Sequence, residues 1–210
     1  MADFNAMTQA LVECDEDKLF EMVNTAVADN VPAGDVLNQG LIAGMDIVGE
    51  KMENGDMFIP EVLMAAQAMG RCVEVLKPLL GDEDAGGGAN VLIGTVKGDL
   101  HDIGKNLVAM MLESAGMNVH NIGVDIAPEE FIAQIKAKNA QIVCLSALLT
   151  TTMPMMKQTV EAIVESGLRD QVKILVGGAP VNQAFADEIG ADGFAPDAGS
   201  AAKMAKALLN

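Results

Sequence analysis

The 210-residue chain has no tryptophan and no tyrosine, only three cysteines and two histidines, and 13 lysines and arginines against 30 acids. Each shortage excludes something. Without Trp or Tyr the polypeptide has almost no near-ultraviolet chromophore of its own. Cys14, Cys72 and Cys144 form no C-x-x-C and no even-numbered framework, so a disulfide scaffold is excluded and a reducing compartment fits. Cys72 and Cys144 lie in apolar patterns and read as buried thiols. The net charge of -17 speaks against nucleic acid, whose phosphates would be repelled over most of the surface. No uninterrupted apolar run approaches the ~20 residues that cross a bilayer. The first residues, MADFNAMTQALVECDEDK, lack a basic segment followed by an apolar block, so a cytoplasmic location away from membranes is expected.

The charge is unevenly spread. Residues 1–88 hold 17 acids and 4 bases, whereas residues 89–210 hold 13 acids and 9 bases. The acidic first part reads as a solvated surface, with selection of a protein partner as the alternative. Between the two parts, GDEDAGGGAN at residues 81–90 has acids and three consecutive glycines with nothing to bury, the composition of a linker. The expected organisation is therefore a helical domain over residues 1–80, a linker over 81–90 and a second domain over 91–210.

The first part shows helical periodicity and no convincing strand. Leu11, Leu19, Phe20, Met22, Val23, Ala26 and Val27 recur at three- and four-residue spacing, with Asp15 as a start signal. Pro32 marks another start, and Leu37, Leu41, Met45, Val48 and Met52 make the stripe of a longer helix that stops at Asn54-Gly55. Pro60 begins one more, with Val62, Leu63, Ala66, Met69, Cys72, Val73 and Leu76 inward. Four helices packed as a small bundle are expected. The bulky apolar residues Met57, Phe58 and Ile59 sit in a turn, and Met64 follows one helical turn after Pro60. They either close the bundle or form an apolar lid over a ligand.

From Val91 onward strands and helices alternate. Strands are expected at Val91 to Val96, Asn118 to Ile122, Ile142 to Leu145 and Val172 to Val176, with a short fifth around Gly193-Phe194. Helices are expected at Ile103 to Ser114, Pro128 to Lys138, Pro154 to Ser166, Asn182 to Ile189 and Ser200 to Leu208. Continuous apolar strands separated by amphipathic helices imply a doubly wound α/β fold, with a five-stranded parallel sheet of flavodoxin-like order 2-1-3-4-5. Ligands of such sheets bind beyond the C-terminal ends of strands 1, 3 and 4.

The unusual residues fall at those three ends. Strand 1 runs into a loop carrying Asp99, His101 and Asp102, strand 3 into Ser146-Ala147-Leu148-Leu149-Thr150-Thr151-Thr152, and strand 4 into Gly177-Gly178-Ala179. A His two residues after a carboxylate suits metal ligation, because the acid takes one ring N–H and makes the other nitrogen a better donor. The plainer readings are a solvated loop histidine, Asp99 as a helix cap, hydroxyls as caps and Gly-Gly as a turn. A phosphate loop is excluded: Gly98 to Gly104-Lys105 is one residue too long, and Asn106 stands where Ser or Thr would hold magnesium. No G-x-G-x-x-G occurs there, so a dinucleotide site is unsupported.

Asp99-Leu100-His101-Asp102-Ile103-Gly104, then Ser146-Ala147-Leu148, then Gly177-Gly178 resembles the D-x-H-x-x-G…S-x-L…G-G signature of cobalamin-binding domains that bind the cofactor base-off/His-on. The separations suit it, with 41 residues between Gly104 and Ser146 and 28 between Leu148 and Gly177. The whole chain is similar to the small corrinoid proteins of methanol, methylamine and related methyltransferase systems, and to the two-domain cobalamin-binding piece of methionine synthase.

The resemblance implies that His101 is the lower axial cobalt ligand and that Asp99 accepts its other N–H. Thr152 stands where a Ser completes that relay in methionine synthase. It further implies that Asp102, Ile103, Gly104 and Leu148 are motif positions at the cofactor, and that Ser146 hydrogen-bonds the displaced nucleotide tail. Thr150 would lie near the corrin rim, Gly177 and Gly178 would shape the tail slot, and Phe58 would cap the upper corrin face with Met64. The implied role is a methyl carrier, not catalytic without partners. Those partners would be a substrate-specific barrel-type methyltransferase, a second methyltransferase acting on coenzyme M or tetrahydrofolate, and a reductive activase. The alternatives sharing the signature are the cobalamin subunit of a radical isomerase and a cobalamin-based sensor, although the chain has neither a basic DNA-binding segment nor a Trp to pack on an adenosyl group. Because the polypeptide lacks chromophores, the absorption spectrum of the purified protein should be dominated by visible corrinoid bands; a colourless protein that takes up no corrinoid on reconstitution would contradict the resemblance.

Overall fold

A computed structural model describes residues 2–80 and 88–209. The chain divides into two compact units, Met1–Gly88 with Ser114–Gly116, and Ala89–Glu113 with Met117–Asn210. Of the expected linker, residues 81–87 lie outside the described residues.

Among the described residues the first unit holds four longer helices and a short 3-10 turn at Lys77–Leu79. Helix α1 (Phe4–Val12) starts at Asp3, whose side chain accepts the Ala6 N–H at 3.0 Å. Helix α2 (Glu16–Ala28) starts at Asp15 in the same way, through Lys18 N–H at 3.2 Å. In both, a short acceptor relieves an amide that the first turn leaves unpaired. Helix α3 covers residues 33–53, and helix α4 (Ile59–Leu76) has Pro60 in its first turn, where no N–H is needed. The Glu61 carboxylate reaches back to the Phe58 N–H at 2.8 Å.

Helix α3 departs from regular winding. Its middle, Val36–Ile42, is π-helical between the α-helical pieces Ala33–Asp35 and Ala43–Glu53, and the Ala43 N–H reaches back five residues to the Asn38 carbonyl. The wider turn takes in one extra residue, so the buried stripe is Val36, Leu41, Met45 and Val48. Regular four-residue spacing puts Leu37 inward, and the π turn replaces it with Val36. Gly40 and Gly44 face α1, where a Cβ would stand 3.1 Å from Met7 Sδ and 2.7 Å from Leu11 Cδ2. Thr8 of α1 donates its hydroxyl to the Gly40 carbonyl at 3.1 Å.

Along α4, Val62, Ala66, Met69, Cys72 and Leu76 are buried as the spacing predicts, but Leu63 is exposed. It stands one turn from Ile59 and beside Met64, so these residues and Phe58 form an uncovered apolar face rather than core. Met57 alone of the turn's apolar residues points inward.

The second unit is a five-stranded parallel sheet of order β2-β1-β3-β4-β5: β1 (Asn90–Thr95), β2 (Asn118–Asn121), β3 (Ile142–Ser146), β4 (Lys173–Gly177) and β5 (Gly193–Ala195). Helices α5 (Ile103–Ser114), α6 (Pro128–Lys138), α7 (Met153–Glu165), α8 (Gln183–Ile189) and α9 (Ala198–Leu208) connect and follow the strands. The α/β class and strand order are those read from the sequence, with ends shifted by one or two residues. Leu92, Val143, Leu145, Ile174 and Val176 pack with Phe131, Ile135, Met156, Val160 and Ile163, while the alternate strand residues Val91, Ile93, Cys144 and Leu175 are buried on the other face. Burial on both faces is why these strands read as continuous apolar runs. It also pushes the Cys144 thiol up to about 12, and the Cys72 thiol of the helical unit up to about 11.

The register places Thr95, Ser146, Gly177 and Ala195 in one row across β1, β3, β4 and β5. The loops that leave β1, β3 and β4 therefore start side by side. Gly178, at φ +124°, lies so close to the neighbouring loop that a Cβ there would overlap the Ala147 carbonyl. Gly178→Ala should therefore destabilise the protein by about 3 kcal/mol or more, read from urea unfolding, because it combines a forbidden backbone angle with a clash against main chain. A loss below about 1 kcal/mol would show that the two loops can separate at little cost.

Candidate functional site

The loop after β1 is built around one buried carboxylate. Val96 donates its N–H to the Ser146 carbonyl at 3.0 Å, and the chain then turns, with Asp99 N–H on the Val96 carbonyl at 3.2 Å. Gly98 occupies the third position of this turn at φ +83°, the geometry of a type II turn. Asp99 follows with no exposed surface.

Five donors converge on the Asp99 carboxylate. Oδ1 accepts the His101 backbone N–H at 3.1 Å and lies 2.7 Å from His101 Nδ1. Oδ2 accepts the Leu148 N–H at 2.8 Å, the Leu149 N–H at 3.3 Å and the Thr152 hydroxyl at 2.7 Å. Burial alone would push this carboxyl up, but the Thr152 hydroxyl, the His101 ring and the Leu148 and His101 amides together outweigh it. They hold the group well below its ordinary value of 3.8. An ionised carboxylate only accepts, so Nδ1 of His101 carries the proton and the lone pair lies on Nε2.

The His101 side chain is 50% exposed, with Nδ1 turned to Asp99. Its main chain is tied down as well: the Thr95 hydroxyl, wholly buried at the end of β1, donates to the His101 carbonyl at 2.9 Å. Nearby chain positions expose Leu100 (71%), Ile103 (83%), Leu148 (42%) and Leu149 (41%). Gly104 opens α5 with nothing within 4 Å of where a Cβ would stand. The result is an imidazole nitrogen in a field of uncovered apolar side chains beside an open glycine, which suits a large, flat, apolar-edged ligand that brings its own metal. Among the described residues no three His, Cys, Asp or Glu gather to hold a bare ion. One imidazole fits a metal whose remaining ligands arrive with it.

The other anticipated residues sort as follows. Thr152 is buried and bonded to Asp99; Ser146 is half-buried at the end of β3; Thr150 and Asp102 are exposed. The space that a side chain would take at Gly178 is filled by Ala147, while Gly177 would carry its Cβ 3.1 Å from the Ala195 carbonyl. Phe58 and Met64 lie in the helical unit, both well exposed. Sequence reading missed Thr95 and the Leu148 and Leu149 amides. A hydroxyl in an apolar strand was the available sign of Thr95, whereas the two amides have no side-chain signature.

A family profile described as B12 binding domain matches residues 89–203, and a second of the same description matches residues 4–77. The chain is 44% identical over 204 residues to a dimethylamine corrinoid protein from Methanosarcina barkeri, covering 97% of this chain and 95% of that one. Among solved structures it is similar to a cobalamin-binding protein from Desulfitobacterium hafniense, with TM-score 0.87 and 32% identity over all of both chains. It is also similar to a chain of the methanol:cobalamin methyltransferase complex from Methanosarcina barkeri, with TM-score 0.80 and 30% identity over 97% of this chain and 78% of that one. A buried Asp99 presenting His101, on a flavodoxin-like sheet preceded by a helical bundle, thus accompanies likeness over nearly the whole length, and the chain belongs to the family of cobalamin-binding corrinoid proteins.

Proposed function

We propose that this protein is a methyl carrier of a methylamine-type methyltransferase system, and that His101 would hold the cobalt of its corrinoid through Nε2. The carrying observation is the Asp99–His101 contact, 2.7 Å from carboxylate to Nδ1, with the other ring nitrogen left available. The likeness to a dimethylamine corrinoid protein and to a chain found with a methyltransferase supports this reading. A bound corrinoid would supply the methyl-transfer chemistry.

The chain's own residues orient and protect. Asp99 fixes the tautomer and compensates positive charge on the ring whenever Nε2 holds a proton in place of the metal. Thr152 and the Leu148 and Leu149 amides hold Asp99 still. Asp102, Ile103, Gly104 and Leu148 border the cofactor, Thr150 lies toward the corrin rim, and Ser146 hydrogen-bonds the nucleotide tail. Gly177 and Gly178 would shape the slot for that tail indirectly, by letting the loop after β4 pack against Ala147 and Ala195. The helical unit contributes Phe58 and Met64 as uncovered apolar side chains, the kind of surface that would pack on a flat ligand and exclude water from it. The partners are a substrate-specific barrel-type methyltransferase, a second methyltransferase acting on coenzyme M or tetrahydrofolate, and a reductive activase.

His101→Ala should retain corrinoid but lose the red, nitrogen-ligated spectrum in favour of the yellow, ligand-free one; an unchanged spectrum would refute the ligand assignment. Asp99→Asn should cost about 3 kcal/mol at neutral pH, since it removes a buried charge satisfied by several donors. The folded carboxyl is held below its ordinary value, so its stabilisation is full above about pH 5 and fades as the pH falls through 4 and lower. Urea midpoints of wild type and variant should therefore converge in acid, whereas a constant gap down to pH 3 would contradict the depressed acidity.

A further inference from the structure

We propose that Asp125, in the loop after β2, is a positioning residue for the axial histidine, acting through the turn at residues 96–99. The proposal rests on the reading of His101 as the cobalt ligand.

Asp125 touches the His101 loop twice. Its Oδ1 accepts the Gly98 N–H at 2.7 Å, and its own N–H donates to the Asp99 carbonyl at 3.0 Å. The first contact decides the turn. In a type II turn the central peptide, Lys97–Gly98, is flipped relative to type I, and glycine allows both forms. An acceptor fixed on the Gly98 N–H holds one of them. The second contact fixes the peptide that leaves Asp99 toward Leu100. Together they pin the chain on both sides of the residue that orients the imidazole.

Core packing does not account for Asp125. It is exposed, and it sits at φ +58°, in the left-handed region that side-chain-bearing residues seldom adopt. Nor is the carboxylate capping its own loop, because its partner lies 27 residues away in sequence. The same segment secures the far side of the histidine loop. Lys105, 4% exposed in the first turn of α5, donates its ammonium to the Asn121 side-chain oxygen at 2.7 Å and to that of Asn106 at 2.6 Å. Asn121 also accepts the Gly123 N–H at 3.2 Å. Residues 121–125 therefore hold the loop before Asp99 and after His101, although β2 contributes no residue to the cobalamin signature.

The test is a double-mutant cycle on the full chain, reading affinity for methylcobalamin and the visible spectrum of the bound form. Asp125→Gly removes the carboxylate at a position whose left-handed angle glycine adopts without strain. It should weaken binding about fivefold, the weight of one ordinary net hydrogen bond, and shift the spectrum toward the nitrogen-free form. In a His101→Ala background the same substitution should change affinity less than twofold, and Asp125→Asn, which keeps an acceptor oxygen, should restore wild-type behaviour. Equal weakening in both backgrounds, or an unchanged spectrum with a lowered melting temperature, would make Asp125 a general structural residue and overturn the proposal. A wild-type protein with no nitrogen-ligated spectrum would instead remove the ligand assignment beneath it.

Discussion

Everything about the second unit converges on a negative charge with no access to water. A buried carboxylate is costly unless its lone pairs are met, and Asp99 meets them with two side chains and three amides drawn from two loops. Those donors exist together only because β1 and β3 are neighbours in register, with Thr95 opposite Ser146. The loop from β3 can then deliver Leu148, Leu149 and Thr152 to a residue four positions past the end of β1. The sheet topology and the imidazole tautomer are in this sense one fact: shift β3 by a residue and Asp99 loses most of its partners.

The helical unit follows a different logic. Its core mixes leucine, valine, methionine and alanine, with Gly40 and Gly44 letting α1 and α3 approach closely, and four of its exposed large apolar side chains, Phe58, Ile59, Leu63 and Met64, are gathered at the start of α4. Phe58 and Met64 are exposed apolar surface rather than core, and the flexible thioether of Met64 can adapt to whatever packs on it.

Much of this was legible beforehand. The parallel sheet followed from apolar runs alternating with amphipathic helices, and the D-x-H-x-x-G segment announced itself because histidine is so scarce in this chain. Three things were not legible. The inward Val36 depends on a π turn, and a four-residue rule applied to 33–53 places Leu37 there instead. The exposure of Leu63 reflects a helix whose apolar residues serve two faces, which periodicity alone merges into one. The Leu148 and Leu149 amides and the αL backbone of Asp125 act through main-chain geometry, and no residue type encodes where an N–H will point.

The thiols have a consequence of their own. A protein that handles an electrophilic one-carbon group risks alkylating itself, and thiolate sulfur is the strongest nucleophile among its side chains. Here Cys72 and Cys144 are sealed in the two cores with acidity suppressed to about 11 and 12, and Cys14 is pushed in the same direction by burial and the charge of Glu61. At neutral pH none offers an appreciable anion. Chemical self-immunity of the carrier is thus written into the same apolar packing that stabilises its fold.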